Sequence, residues 1–230
     1  MRVIADAEGS DAVARAPSDL LVLLVLQPLA KPRAVEAVVR TRARSGTFAA
    51  NLLVGLFKKH RALLKAHFPA LLTLAQALLP PHNSADRASE FAATLYFHAY
   101  ASLPSYYQQE VVGALVTHVG ASRRPEADVA FGTLSKMATG DPTRLQPFAI
   151  FIKGLFDGVE AFTCDQARHL YGILSCLAFR CGQETALREE LHILVRKQLA
   201  HATPFYRSLG VIGAVSMLQY LVRDLSLIHI

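Results

Sequence analysis

The 230-residue sequence predicts an all-α fold, an α-solenoid of stacked antiparallel helical hairpins of the HEAT/ARM type. Three observations carry that expectation. Apolar residues recur at helical rather than alternating spacing, as at Leu170, Ile173, Leu174, Leu177 and Ala178. Helix-starting Ser, Thr, Asp and Pro alternate with stopping Gly and Pro-Pro across short breaks, and no stretch reads as a strand pair. The helices follow each other in pairs of roughly 40 residues, the HEAT rhythm, although no literal repeat is present.

In chain order, Ser18 and Asp19 are expected to cap a helix through Leu29, with Pro28 disturbing its end. Pro32 opens a second helix that stops at Ser45-Gly46. A third helical stretch, Phe48 to Leu79, is expected to break near His60 and again at Pro69, and Pro80-Pro81 ends it. Ser84 and Asp86 open the next, through Tyr100; Ser105 to Val119 follows after Pro104 and closes at Gly120. Pro125 starts a helix to Gly140, Pro142 another to Gly158, and Thr163 or Asp165 caps Gln166–Arg180, closed by Gly182. Two final helices meet at Thr203-Pro204, and on the first of them Leu187, Leu191, Leu194, Val195 and Leu199 share an apolar face.

The domain reading follows from these elements. Residues 1–17 read as the truncated end of a preceding helix or as flexible chain, and residues 18–224 as one helical-repeat segment. Leu225–Ile230, LSLIHI, resembles the translation of a common sequencing adapter and reads as a scar rather than as protein, with the natural chain continuing past it. The alternative is a natural apolar C-terminus.

Composition narrows the function classes. Hydrophobic residues are 52% and charged residues 18%, so the chain can bury a continuous core. The longest apolar runs, near Leu20–Leu26 and Leu209–Leu218, fall short of the ~20 residues a bilayer needs, so no membrane span or membrane partner is expected. Three cysteines, Cys164, Cys176 and Cys181, fit neither a disulfide framework nor a zinc site and read as buried reduced thiols. His67, His98, His118 and His169 read as packed or partly exposed core histidines. Nucleophile-elbow, phosphate-loop, zincin and dinucleotide motifs are absent, so no enzymatic activity, cofactor or metal is expected. The GxxxG at Gly154 and Gly158 reads as a close helix contact.

Charge is uneven. Residues 1–70 hold 11 Lys and Arg against 5 Asp and Glu, while residues 71–230 hold 13 of each. Arg40, Arg42, Arg44, Lys58, Lys59, Arg61 and Lys65 are therefore candidate phosphate contacts on a polyanion, shape-directed and independent of sequence. Alternating positions cannot all point one way on a helix, so some of the arginines must be merely solvated. No aromatic residue interleaves with these charges, which argues against base stacking. Near the C-terminus Lys197 falls off the apolar face at its flank, with Ile193 one turn before it on the same non-core side. On its own that is an ordinary solvated lysine, and a plain peptide-binding helical scaffold remains open.

Several strings, in matching order and spacing, resemble the Fanconi anaemia group D2 family. They are QQEVVGALVTH (Gln108–His118), FIKGLFD (Phe151–Asp157), LSCLAF (Leu174–Phe179), LVRKQL (Leu194–Leu199) and GVIGAVSM (Gly210–Met217). Weaker similarity lies in RARSG and LTLAQALL. The related group I protein also has a lysine after an arginine and is the nearest competitor, but GVIGAVSM and QQEVVGALVTH are more similar to the D2 form. The resemblance implies an internal fragment of a nuclear, chromatin-associated α-solenoid that pairs with the Fanconi anaemia group I protein and encloses double-stranded DNA in interstrand crosslink repair. It further implies monoubiquitination of one lysine through an isopeptide bond, made by the core-complex E3 ligase and its E2 and reversed by a deubiquitinase. Arg196-Lys197-Gln198-Leu199 matches the modified string, so Lys197 is the implied acceptor, with Ile193 and Arg196 as candidate E2 or partner contacts. Lys153, in a different string, takes no such role.

Overall fold

The computed structural model describes residues 17–28, 32–48, 50–79, 86–121, 124–181 and 185–228. The expected features at Leu29, Pro80-Pro81, Ser84 and Gly182, and most of the 1–17 remnant, lie outside them. The fold is all-α, of the solenoid class, with no strand among the described residues. The chain forms two compact units, Met1–Ala114 and Leu115–Ile230.

In the first unit α1 (Pro17–Leu26) is short and apolar, and α2 runs Pro32–Arg44. α2 stops because Gly46 takes φ +83, a left-handed conformation that L side chains avoid. Its last carbonyls are taken by Gly46 N–H (on Ala43) and Phe48 N–H (on Arg42). α3 (Ala50–Lys59), α4 (Arg61–Ala66) and α5 (Phe68–Leu78) are the pieces of the stretch expected to be broken. The first break falls at His60 as expected. The second falls at His67, two residues before Pro69, because a proline is tolerated in the first turn of α5 where its missing N–H is not needed.

α6 (Arg87–Ser102) is the central helix of this unit and packs against α2, α3 and α5 through Phe91, Ala92, Leu95 and Tyr96. Asp86 starts it with a capping box. Its carboxylate accepts from Ser89 N–H at 3.0 Å, and Ser89 Oγ accepts from Asp86 N–H at 2.7 Å. Burial pushes the Asp86 carboxyl up, but the Ser89 bonds and the Arg44 guanidinium outweigh it and hold the group below the usual range. A carboxylate with a depressed folded pKa stabilises above its unfolded pKa and loses that contribution as pH falls through the folded value. Asp86→Ala is therefore expected to lower stability by about 1 kcal/mol at neutral pH. The difference from wild type should shrink in denaturant melts below about pH 4.

α7 (Ser105–Gly120) follows Pro104. In the second unit α8 (Arg124–Gly140) leads to a segment that the sequence reads as one helix but that is four pieces: α9 (Pro142–Leu145), a 3-10 turn at Gln146–Phe148, α10 (Ala149–Lys153) and a 3-10 stretch at Gly154–Ala161. Pro147 interrupts the ladder, and Gly158 leaves helical geometry at φ −113, ψ 15. The expected close contact at Gly154 and Gly158 is not seen among the described residues: beyond each glycine's own local backbone, nothing lies within 4 Å of a Cβ built at either.

α11 (Cys164–Arg180) is the core of the second unit and packs on α8, α12 (Thr185–Leu199) and α13 (Pro204–Ile228). Thr163 and Gln166 form its capping box, and Gln166 Nε2 reaches Asp128 of α8 at 2.8 Å. Leu170, Ile173, Leu174, Leu177 and Ala178 are all buried, as their spacing predicts. Full burial of each leucine is worth about 1.5–3 kcal/mol. Cys176 and Cys181 are buried and form no disulfide, whereas Cys164 is exposed, contrary to expectation, because the first turn of α11 turns it outward.

α13 is longer than its apolar core run suggested. Pro204–Val222 is one helix long and apolar enough, by length and composition alone, to cross a membrane, which the run-length count missed. Its Leu209 and Met217 are buried, while Val211, Val215, Leu218 and Val222 are exposed.

Candidate functional site

α12 buries Leu187, Leu191 and Val195, as predicted. Leu199 does not follow: it is 41% exposed, and Gln198 is buried in its place. On the wheel Gln198 lies at the centre of the apolar face and Leu199 at its edge. The buried amide is satisfied because Tyr171 Oη of α11 donates to Gln198 Oε1. Burial pushes the Tyr171 hydroxyl up to about 12, and the bond to Gln198 offsets part of that rise.

Two glycines seat α13 against this pair. A Cβ at Gly213 would lie 2.6 Å from Val195 Cγ2 and 2.8 Å from Tyr171 Cε1. One at Gly210 would lie 2.7 Å from the Leu199 backbone nitrogen. The connection is tight: Ala200 and His201 N–H groups return to the Arg196 and Gln198 carbonyls at 3.1 Å, and Thr203 N–H bonds His201 Nδ1 at 3.1 Å. The last turn of α12 is thus fixed by backbone contacts on one side and a buried hydrogen bond on the other.

Lys197 projects from that fixed turn. It is exposed and makes no ion pair among the described residues. With Phe156, Asp157 and Glu160 of the 3-10 stretch and with His201 and Tyr206 it lines a groove of about 280 Å³. Tyr206 Oη donates to Glu160, whose carboxylate raises the tyrosine's pKa, and the His201 and Tyr206 rings lie 4.4 Å apart. One turn back Ile193 is 68% exposed, and Arg196 is exposed beside Lys197. Lys153 differs: its amine is held by Glu190 at 2.7 Å. A primary amine on a rigid turn, not engaged by a carboxylate, is an accessible nucleophile once deprotonated.

The basic residues divide in two. Arg40 donates to the Ala77 carbonyl. Arg42 pairs with Asp19 and lies 5.5 Å from the Phe48 ring centre, and Arg44 pairs with Asp86 at 2.6 Å. Each arginine has an internal partner that sequence spacing could not reveal. Lys58, Lys59 and Arg61, by contrast, are exposed at the α3–α4 break and make no ion pair among the described residues. Lys65, exposed one turn along α4 from Arg61, has its amine 5.9 Å from the centre of the Tyr107 ring.

The chain matches, over residues 7–227, a family model described as "Fanconi anaemia protein FancD2 nuclease". It belongs to the Fanconi anaemia group D2 family. The Fanconi anemia group D2 protein of Gallus gallus is 34% identical over 203 residues, 87% of this chain and 14% of that protein. The homologue from Mus musculus is 34% identical over 212 residues, 90% of this chain and 14% of its own length. The chain therefore spans about one seventh of the group D2 proteins it matches.

Family membership gives the residue pattern a frame: a segment of a protein of the Fanconi anaemia group D2 family. The family description includes the word nuclease. Among the described residues no group of three His, Cys, Asp or Glu side chains could hold a metal ion. Sequence reasoning missed Gly210 and Gly213 as contact residues, though their i, i+3 spacing in GVIGAVSM was a usable signal. It missed the Tyr206–Glu160 bond, which joins residues 46 apart.

Proposed function

We propose that this segment is part of a nuclear DNA-repair scaffold of the group D2 family whose Lys197 accepts a single ubiquitin. The observation that supports it is the state of that amine, exposed, without an ion pair among the described residues and on a turn fixed from both sides, in the Arg196-Lys197-Gln198-Leu199 string. In the reaction the neutral Lys197 amine attacks the thioester carbonyl of ubiquitin carried on an E2. A C–N bond replaces the C–S bond, the amine releases a proton to solvent and the E2 cysteine leaves as thiolate. Ile193, one turn back, and Arg196, beside Lys197, offer the approaching E2, or a partner, an apolar knob and a cation.

In this reading the scaffold pairs with the Fanconi anaemia group I protein around double-stranded DNA during interstrand crosslink repair. Ubiquitin is attached by the core-complex E3 ligase and its E2, and removed by a deubiquitinase. The attached ubiquitin adds a second protein surface that turns re-closure of the pair into an intramolecular event and lengthens residence on DNA. The test is conjugation with purified E2 and E3, group I protein and duplex DNA, following ubiquitin attachment and DNA dissociation together. Wild type should be modified once and dissociate more slowly afterwards. Equal modification of wild type and Lys197→Arg would remove Lys197 from the reaction.

The phosphate contacts in this reading are Lys58, Lys59, Arg61 and Lys65, because Arg40, Arg42 and Arg44 are engaged within the protein. Replacing Lys58, Lys59 and Arg61 by glutamine is expected to reduce the slope of log K against log salt by about 0.9 per lost contact on duplex DNA. The same change at Arg40, Arg42 and Arg44 should leave the slope unchanged and lower thermal stability. The reverse outcome would return phosphate contact to the arginines.

A further inference from the structure

The aromatic residues that a stacking surface needs are absent around the basic segment in sequence but present in space. Tyr107 lies against Phe68 of α5, ring centres 4.8 Å apart and nearly perpendicular, and the Lys65 amine sits 5.9 Å from the Tyr107 ring centre. That contact brings the end of α4 to the start of α7. Tyr106 meets Tyr107 edge to face at 5.3 Å and is 68% exposed, the same fraction as the most exposed large apolar side chains among the described residues. Tyr106 is thus a large aromatic ring supported on one edge by a packed aromatic pair and open to solvent, and the Tyr107 ring it touches is the one beside which the Lys65 amine sits. Arg61 lies four residues before Lys65, about 6 Å along the helix, a spacing compatible with neighbouring phosphates of an extended single strand. Lys58 and Lys59 continue the cationic track across the His60 break. Glu110, one turn along α7 from Tyr106, is exposed and repels phosphate on that side, so the favoured path runs toward α4.

We propose that Tyr106, with Lys65 and Arg61, forms a stacking site for an unpaired base of a single-stranded polynucleotide. The ring offers a face that any base can use, and the two cations hold the flanking phosphates; duplex DNA, whose bases are already stacked, cannot use the ring in this way. The proposal is independent of ubiquitin attachment at Lys197. It shares Arg61 and Lys65 with the phosphate contacts proposed for duplex DNA but predicts a different preference.

The chain has no tryptophan, so Tyr106→Trp introduces a single reporter at the site. Titration of the full chain carrying this change with 12-nucleotide dT, 12-nucleotide U and a blunt duplex is expected to quench tryptophan emission with a single strand and not with the duplex. The dT and U arms identify whether DNA or RNA is the better source of the unpaired base. By fluorescence anisotropy with labelled dT, Tyr106→Ala should weaken binding about tenfold while Tyr106→Phe retains it, since stacking uses the ring and not the hydroxyl. Lys65→Gln and Arg61→Gln should each reduce the salt slope by about 0.7 on the single strand. Circular dichroism of each variant establishes that it is folded. Quenching by duplex and single strand alike, or unaltered single-strand affinity in a folded Tyr106→Ala protein, would overturn the stacking site. Binding of duplex alone would do so while leaving the phosphate contacts intact.

Discussion

Lys197→Arg is expected to reduce ubiquitin conjugation to background, while Lys153→Arg leaves it unchanged. The two lysines sit in the same unit, and both lie in strings that resemble the group D2 family, so that resemblance alone does not separate them. Their surroundings do. Lys153 is held by Glu190 at 2.7 Å, whereas Lys197 makes no ion pair among the described residues. Arginine keeps the positive charge and much of the stem, so the substitution removes the nucleophilic amine and little else. Because Lys197 is exposed, the change should leave the melting temperature near that of wild type. A quantitative conjugation assay on both variants reads the effect. Loss of conjugation in Lys153→Arg together with full conjugation in Lys197→Arg would reverse the assignment.

The second large effect lies at a residue with no chemistry of its own. Gly213→Ala is expected to destabilise the second unit by about 1–3 kcal/mol, the usual range for overpacking. The added methyl would sit 2.6 Å from Val195 Cγ2 and 2.8 Å from the buried Tyr171 ring, and Tyr171 is fixed by its bond to Gln198. Gly210→Ala meets the backbone nitrogen of Leu199 at 2.7 Å, which no rotamer change relieves. Helix propensity alone predicts the opposite sign, since alanine stabilises a helix interior by about 1 kcal/mol over glycine. Gly172→Ala in α11, where nothing lies within 4 Å of a new Cβ, should show that gain. Chemical denaturation of the three variants separates the two effects. If Gly213→Ala proved as stabilising as Gly172→Ala, the close seating of α13 on α12 would be wrong. Because the same contacts fix the turn that carries Lys197, Gly210→Ala should also slow conjugation without touching the amine.

Helices were legible in the sequence wherever local chemistry decided them. Asp86, Thr163 and the Gly46 stop are local signals, and the Leu170–Ala178 face is a periodic one. The Pro142–Gly158 stretch was misread because each break in it is a single residue inside an otherwise apolar helical pattern. Leu199 and Gln198 exchanged places because a polar side chain at the centre of an apolar face looks like an error until its buried partner, 27 residues earlier, is known. The exposed position of Lys197 was readable from the wheel. The three arginines were not separable from the lysines at the α3–α4 break, since their partners Ala77, Asp19 and Asp86 come from other elements. Tyr106 was invisible for the same reason: the Tyr107 ring that it touches lies 42 residues from Lys65 in the sequence and 5.9 Å from its amine in the fold.

The most direct test of the account is to locate the ubiquitin linkage chemically. Wild-type protein conjugated by the purified E2 and E3 with group I protein and duplex DNA is digested with trypsin, and the Gly-Gly remnant is mapped by mass spectrometry. The account predicts a single remnant on Lys197. A remnant on Lys153 or on any other lysine, with Lys197 unmodified, would contradict it.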